Sequence, residues 1–218
     1  MNYVIIDTGN GRSFPGQHPL LDGKSAQGEV IIVLGTGQTE ALEKIQGRDA
    51  KAAILIELHT ESLGVYTDES RGTEGSNVLG FARFRLGDSE PSNLIELVRQ
   101  PNTPEAAISA ARQVLEGAGF KVAVCFDSHG RIIDRLVRPY YNAALRRLDE
   151  DLASADDMDL TLRLGLGYPE GPIALLERTG LEHHFDVAQD LFDALGEAPY
   201  APARRARVKK VRVQKKGG

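Results

Sequence analysis

Two glycine-rich turns are the parts of this sequence whose residue types most clearly suggest ligand chemistry. They lie at 9–14 (GNGRSF) and 35–40 (GTGQTE), and each directly follows a short apolar run. Paired glycines in such a turn let the backbone approach a pyrophosphate, whose charge is then bound by the N–H groups that open the following helix. The two turns therefore raise the question of a bound dinucleotide.

Neither turn has the complete dinucleotide pattern, which needs a third small residue at its end. The first turn has Phe14 there, and Pro15 and Pro19 prevent a clean helix start after it. The second turn has Glu40, whose carboxylate would oppose a phosphate and obstruct close packing of the helix on the sheet. We therefore interpret both segments as ordinary strand-to-helix turns.

The adjacent histidines His183 and His184 could suggest a metal site. Neighbouring residues on a helix point about 100° apart, so they rarely bind the same ion. We predict a solvated helix start at this position and assign no metal ligand.

Composition limits the remaining possibilities. With 218 residues and 41% hydrophobic residues, the chain can bury a sizeable core without disulfides, and its single cysteine, Cys125, excludes an internal disulfide. It has neither an apolar run of the ~20 residues that span a bilayer nor a signal-peptide pattern at residues 1–10. We expect a cytoplasmic protein that does not insert into membranes.

Charge is concentrated near the C-terminus. The basic segment 204–216 (RRARVKKVRVQKK) carries eight Lys or Arg residues and no acid. Because the net charge of the whole chain is −5, the rest of the chain has a net charge of −13. Such a segment could bind nucleic acid or another anionic surface, but it has no aromatic residue to stack on bases. We favour a disordered, solvated end or a segment folded back onto the acidic body, and we do not expect nucleic acid as a partner.

Secondary-structure patterns change character after Gly130. Before it, apolar runs predict strands and helical spacing predicts helices, with Thr39 and Thr103 as N-caps and Pro104 in the first turn of the second helix. The predicted strands are 3–7, 29–34, 52–58, 77–84, 93–98 and 121–126, and the predicted helices are 39–45 and 103–119, with a long loop between the first two strands.

The later part is predicted to be helical throughout. A long helix over 131–151 has a broad apolar stripe and an internal Pro139, where we expect a kink. Ser154 and Asp157 resemble a capping box that starts a second helix running to about 164. A third helix starts near Pro172 and a fourth covers 183–195. The predicted domains are 1–128 (α/β), 129–200 (helical) and 201–218 (basic tail).

The helical part closely resembles the C-terminal domain of the 3-hydroxyacyl-CoA dehydrogenases. The resemblance rests on a run of rare residue types in one order, from about 131 to 181: Arg135-Leu136, Pro139-Tyr140-Tyr141-Asn142, Ala155-Asp156-Asp157-Met158-Asp159 and 165–172 (GLGYPEGP). It extends more weakly back to residue 77. The shorter part before it resembles the reduced Rossmann-like domain in the second half of long bacterial 3-hydroxybutyryl-CoA dehydrogenases. The fold implied is a reduced Rossmann-like α/β domain followed by the helical domain.

The resemblance also implies site residues. The family oxidises the 3-hydroxyl of an acyl-CoA with NAD, using a His base held by a Glu. The position of the His holds Ala82, which cannot accept a proton, whereas the position of the Glu holds Glu96, two residues further along than in the family. The Ser position holds Glu61, and the substrate-binding Asn position holds Asp134. Glu96 is thus the candidate catalytic residue and Asp134 the candidate substrate-binding residue.

Two histidines near these positions, His59 and His129, could be proposed as substitute bases, but we expect neither to have a role. The resemblance implies NAD as cofactor, although we assign no cofactor-binding residue.

Three functions follow from these observations. We favour a member of the family, in fatty-acid or aromatic-acid catabolism, that lacks its own dehydrogenase activity and acts in assembly or acyl-CoA handling. Its partner would be a second copy or a full-length dehydrogenase relative, with acyl-CoA as ligand. The alternatives are an active NAD-dependent L-3-hydroxyacyl-CoA dehydrogenase, or a subunit of one, and a nucleic-acid binder that uses the basic segment.

Overall fold

A computed structural model describes residues 1–67, 69 and 74–217, which form two compact units. The α/β unit comprises Met1–Arg85 and Pro91–Arg131, and the helical unit comprises Leu86–Glu90 and Ile132–Gly218. An α/β domain followed by a helical domain is the fold class that the sequence predicts.

The α/β unit contains one six-stranded sheet whose spatial order is the same as its order in the chain. Its strands are β1 (Tyr3–Asp7), β2 (Val30–Leu34), β3 (Ala53–Glu57), β4 (Val78–Arg83), β5 (Leu94–Arg99) and β6 (Lys121–Phe126). All neighbours are parallel except β4 and β5, which are antiparallel. The predicted strands are therefore present, with ends that differ by at most one residue.

Four helices accompany these strands among the described residues: α1 (Pro19–Asp22), α2 (Gln38–Lys44), α3 (Gly64–Thr67) and α4 (Glu105–Gly117). A 3₁₀ turn lies at Arg48–Ala50. The strands β2 and β3 are buried along their whole length, because apolar side chains pack on both faces of the sheet. One face packs against α4 through Ala111 and Leu115, and the other against α2 through Leu42.

Three predictions about helix starts in this unit were wrong: one helix was not expected, and two N-caps were misassigned. A short helix does begin at Pro19, because the Nδ1 atom of His18 accepts the Leu20 N–H at 3.1 Å and proline fits the first helical turn. The helix α2 begins at Gln38 with Gly37 as its N-cap, so Thr39 is not the cap. The hydroxyl of Thr103 accepts the N–H of Gln100 at 2.9 Å and does not cap α4.

The helical unit contains α5 (Ile133–Asp149), α6 (Ala155–Leu166), α7 (Pro172–Thr179), α8 (Leu181–Leu195) and α9 (Arg204–Gly217). A 3₁₀ turn at Ala198–Tyr200 precedes α9. The core forms around Leu145 of α5, Ile173 and Leu176 of α7 and Ala206 of α9. The helix α5 continues through Pro139, and the kink expected there stays a prediction.

The glycine- and proline-rich segment 163–172 joins α6 to α7. Gly167 ends α6 with φ of +71°, a left-handed conformation that favours glycine, and Pro172 opens α7. The carboxylate of Asp159 accepts the N–H groups of Ile173 and Ala174 at 2.9 and 2.8 Å, so it caps α7 from the preceding helix. A Cβ atom on Gly171 would lie 2.2 Å from the Cβ of Asp159, which explains why this position is glycine. The motif is therefore a compact cap that fixes α7 on α6.

The basic segment forms the helix α9, so the disordered end considered from the sequence was wrong. Ala203 and Ala206 are buried in the core of the helical unit, which fixes the start of the helix. Arg205 pairs with Asp149 at 2.6 Å and Lys210 pairs with Asp186 at 2.7 Å. The segment thus folds back onto acidic helices of its own unit.

Candidate functional site

The position of the family's base and the candidate catalytic residue lie opposite each other in the sheet. Ala82 on β4 pairs directly with Glu96 on β5, in antiparallel register. Opposite residues of an antiparallel pair have Cβ atoms about 4.5–5.5 Å apart, so a side chain at position 82 would contact Glu96.

The Glu96 carboxylate is buried, with only 3% of the residue exposed, and it lies 3.7 Å from the Nε atom of Arg131. Arg131 is equally buried, and its other guanidinium nitrogens donate hydrogen bonds to the carbonyl oxygens of His59 and Glu61. The backbone of Arg131 is left-handed, with φ of +52°, which is unusual for a residue other than glycine. Arg131 is therefore the counter-charge of Glu96. In the same unit, the position that corresponds to the family's base holds only the methyl group of Ala82.

The substitute at the Ser position, Glu61, is held by its own loop. Its carboxylate accepts the N–H groups of His59 and Thr60 at 3.0–3.2 Å and the hydroxyl of Tyr66 at 2.9 Å. Burial and this carboxylate raise the pKa of Tyr66, so the phenol stays protonated. The adjacent Ser62 is partly exposed. Glu61 therefore stabilises the loop after β3.

His59, the nearer of the two proposed substitute bases, has a buried Nε2 atom without a hydrogen-bond partner among the described residues. Its backbone N–H and C=O groups bind Glu61 and Arg131, respectively. Its ring has no carboxylate partner of the kind that orients a catalytic histidine. His129 is partly buried at the end of the same unit. The expectation that neither has a role stays a prediction.

The candidate substrate-binding residue, Asp134, lies in the first turn of α5 in the helical unit. Its carboxylate binds Arg138, one helical turn later, at 2.7 Å. Arg138 in turn contacts the Nδ1 atom of His184 at 3.2 Å. Because arginine is always a donor, Nδ1 accepts, and the ring proton of His184 is on Nε2. Asp134 therefore starts a chain of polar contacts that continues into the core of the helical unit.

This chain ends at Asn142, which connects three elements. Its Oδ1 atom accepts the Nε2–H of His184 at 3.0 Å and the N–H of Ala203 at 3.2 Å. Its Nδ2 group donates to the carbonyl oxygens of Pro199 and Tyr200 at 3.1 and 3.0 Å. All four hydrogen-bonding positions of the amide are used. Asn142 thus fixes α8 and the start of α9 to α5.

The prediction of a solvated helix start at the histidine pair was wrong for His184. Only 1% of this residue is exposed, and burial, with the Arg138 charge, lowers its pKa to about 3. His183 is partly exposed and lies 3.5 Å from Asp88. Sequence spacing could not find this arrangement, because the partners of His184 lie on another helix. Among the described residues, no group of three or more His, Cys, Asp or Glu side chains could hold a metal ion.

The sheet lacks the feature at which open α/β folds bind dinucleotides. Those ligands lie in the crevice where the strand order reverses. In the described residues the order runs from β1 to β6 without a reversal, so β1 is at an edge of the sheet. The N–H groups of Arg12, Ser13 and Gly35, in the two glycine-rich turns, donate to the carboxylate of Glu57. The residues present therefore do not fit a dinucleotide.

Two of the open surfaces of the helical unit have the chemistry that suits a partner or a ligand. The apolar ridge consists of Leu160 and Leu164, which are exposed on one side of α6; Leu166 and Tyr168, at and after the end of this helix, are also exposed. A second surface, the basic groove, is a cavity of about 310 Å³. Its floor includes Leu145, Leu148 and Ile173, and its rim includes Arg204, Arg205 and Arg212. No described helix is long and apolar enough to cross a bilayer.

Comparison with known proteins agrees with this architecture. The model of the 3-hydroxyacyl-CoA dehydrogenase C-terminal domain matches residues 130–218. The 3-hydroxybutyryl-CoA dehydrogenase of Mycobacterium tuberculosis is 29% identical over 149 residues, which are 68% of this chain and 51% of that protein. The enzyme of the same name from Bradyrhizobium diazoefficiens is 30% identical over 109 residues, which are 50% of this chain and 37% of that protein.

Solved structures share the fold at lower identity. The structure of 3-hydroxybutyryl-CoA dehydrogenase from Escherichia coli has a TM-score of 0.71 at 23% identity, over 88% of this chain and 42% of that chain. The (S)-3-hydroxybutyryl-CoA dehydrogenase of Ralstonia eutropha has a TM-score of 0.69 at 23% identity, over 83% of this chain and 64% of that chain. This chain spans about half or less of the length of the two relatives compared by sequence.

Proposed function

We propose that this chain, whose residues 130–218 match the C-terminal domain of the 3-hydroxyacyl-CoA dehydrogenases, is a member of that family without dehydrogenase chemistry of its own, which acts through assembly with a second copy of itself. The observation that carries the first part is Ala82 opposite Glu96. General-base catalysis needs a side chain that can accept the substrate's hydroxyl proton, and a methyl group cannot. Arg131 beside Glu96 supports the same conclusion, since it neutralises the carboxylate that would orient the base.

The assay is NADH formation from NAD and 3-hydroxybutyryl-CoA by the purified chain. We expect no NADH above the rate without protein. Turnover would refute the proposal and would favour the alternative of an active dehydrogenase. The matched test is Glu96→Gln: if wild-type turnover exists and this variant abolishes it, Glu96 is a catalytic residue after all.

The assembly role is supported by the apolar ridge. Leu160 and Leu164 are one helical turn apart on the same side of α6, and 49% and 77% of their surfaces are exposed. The helix α6 buries Asp159 and little else of its own, so most of its surface is available to a partner. Contiguous exposed apolar residues of this kind mark interaction sites in soluble proteins. A second copy supplies the same ridge, which gives a self-complementary contact about a two-fold axis.

Light scattering after size exclusion tests this contact. We expect a dimer for the wild-type chain and a monomer for Leu160→Glu combined with Leu164→Glu. The matched control is Val65→Glu, an equally exposed apolar residue in the α/β unit, which should leave the dimer intact. A monomeric wild-type chain would refute self-assembly. If that monomer bound a purified full-length 3-hydroxybutyryl-CoA dehydrogenase and the double variant did not, the assembly partner would be that relative instead of a second copy.

A second candidate function, acyl-CoA handling, is favoured by the basic groove. An apolar floor beside arginines suits a ligand with an acyl chain and phosphate groups, because each part then meets a complementary surface. Calorimetry with palmitoyl-CoA and with CoA alone tests it. We expect weaker binding of both ligands by Arg204→Ala with Arg212→Ala, and weaker binding of palmitoyl-CoA alone by Leu148→Ala. Absence of binding by the wild-type chain would exclude this function.

A further inference from the structure

Both glycine-rich turns converge on one buried carboxylate. In the first turn, the N–H groups of Arg12 and Ser13 donate to Oε1 of Glu57 at 2.9 and 2.7 Å. In the second turn, the N–H of Gly35 donates to Oε2 at 2.8 Å. Glu57 is the last residue of β3 and is 1% exposed. Two segments that are more than twenty residues apart in the chain thus present three backbone donors to one anion.

This geometry is that of an oxyanion site. Successive backbone N–H groups in a turn form concave sites that bind phosphate and other anions. Hydrogen bonds to an ionised acceptor are short and roughly twice as strong as neutral ones, and the three distances here lie in that range. A buried carboxylate without such donors would be strongly unfavourable. The turns and the carboxylate therefore stabilise each other.

The glycines in the turns are explained by the same contact. A Cβ atom on Gly11 would lie 2.8 Å from Oε2 of Glu57. Gly35 has φ of +93°, and a Cβ atom there would lie 2.1 Å from the carbonyl oxygen of Gly9. The side chain of Glu57 and the backbone of the other turn therefore require these two positions to be glycine, without any bound nucleotide.

We propose that the two turns form an oxyanion-binding site that the chain fills with its own Glu57, so that a phosphate-class ligand binds there only when that carboxylate is removed. The carboxylate engages the donors that would bind a pyrophosphate. This inference goes beyond the proposed function, because it concerns why the α/β unit does not accept a dinucleotide. It makes no use of dehydrogenase activity or assembly, so its test fails or succeeds independently of theirs.

The test is anion rescue of Glu57→Ala, followed by thermal unfolding. Three buried donors would lose their acceptor, so we expect a Tm lower than the wild-type value by roughly 10 °C or more. Pyrophosphate or inorganic phosphate should raise the Tm of this variant saturably, by about 3–5 °C at ten times its Kd. Sodium chloride at equal ionic strength should not.

The matched control is Leu55→Ala, which removes a fully buried side chain from the same strand and the same face of the sheet without removing an acceptor. Phosphate should affect this variant and the wild-type chain equally little. Rescue of Leu55→Ala to the same extent, or no rescue of Glu57→Ala, would overturn the proposal.

A measurement on the wild-type chain keeps the proposal testable if Glu57→Ala does not fold. The amides of Arg12, Ser13 and Gly35 should exchange slowly with solvent, and neither phosphate nor NAD should shift their NMR signals. Fast exchange of all three, or a saturable shift on adding either compound, would show that Glu57 does not hold the site.

Discussion

The ion pair between Arg131 and Glu96 gives the sharpest test of the candidate site. We consider Arg131→Met, which keeps an unbranched side chain in the position of the arginine stem but removes the guanidinium group and its charge. At 3.7 Å and an effective dielectric constant of about 20, the two charges attract each other by about 4 kcal/mol. This agrees with the 3–5 kcal/mol that removing one partner of a buried pair typically costs. The two carbonyl oxygens that Arg131 binds add roughly 1 kcal/mol each.

A double-mutant cycle isolates the pair from these other losses. Arg131→Met, Glu96→Gln and the double variant are unfolded in urea, and their free energies of unfolding are compared by far-UV circular dichroism. We expect a coupling energy of about 3–4 kcal/mol, because in the double variant neither charge is left unpaired. The matched control is the cycle for Arg99 and Glu105, a pair at 2.7 Å whose carboxylate side chain is 77% exposed, where coupling should be below about 1 kcal/mol.

The refuting result is a coupling energy for Arg131 and Glu96 no larger than that of the exposed pair. Glu96 would then not depend on Arg131 for its counter-charge and would be available to orient a base. Only Ala82 would then support the proposal that this chain has no dehydrogenase chemistry of its own.

Three further predictions concern the helical unit. The pKa of His184 in the folded chain, about 3, lies below its ordinary value of 6.5, so as the pH falls the unfolded chain binds the proton first. The free energy of unfolding should therefore decrease by about 1.4 kcal/mol for each pH unit from pH 6.5 down towards pH 3. His184→Gln should remove this slope, as measured by urea titrations at several pH values. Asn142→Leu leaves four polar groups without partners, so we expect a loss of about 3 kcal/mol or more and faster tryptic cleavage in the basic segment. Gly171→Ala should lower the Tm, because its Cβ atom would collide with Asp159. Gly165→Ala lies inside α6, with nothing within 4 Å of the added Cβ atom, and should raise the Tm slightly. Equal effects of the two variants would contradict the capping role of segment 163–172.

The strands could be predicted from the sequence because each is a short, mainly apolar run. Segments such as 30–34 (VIIVL) are buried on both faces of a largely parallel sheet, so burial and β-propensity agree. The helix starts were less predictable, because the cap of a helix depends on which donor or acceptor lies nearest in space. His18 caps α1, whereas Thr103 instead accepts the N–H of Gln100. Local pattern cannot distinguish these outcomes.

The candidate site was predictable only in part, and for a related reason. The resemblance identified positions 82 and 96, and their pairing follows from strand register. The partner of Glu96 could not be found, because Arg131 follows β6 and reaches back across the unit to the loop after β3. Glu57 was missed because its ligands are backbone N–H groups of two turns, and backbone groups leave no residue type to recognise.

Four carboxylates of the α/β unit share one property, which is that each is bound by groups of that same unit. Glu57 binds three N–H groups, Glu61 binds two N–H groups and a phenol, and Asp127 binds the N–H groups of Leu63 and Gly64 at 2.8 Å. Glu96 has Arg131. Each of these four acids is therefore paired with donors from the same unit. The pairing of these four acids is what we expect if, as proposed, this unit acts as a scaffold in which carboxylates hold loops together.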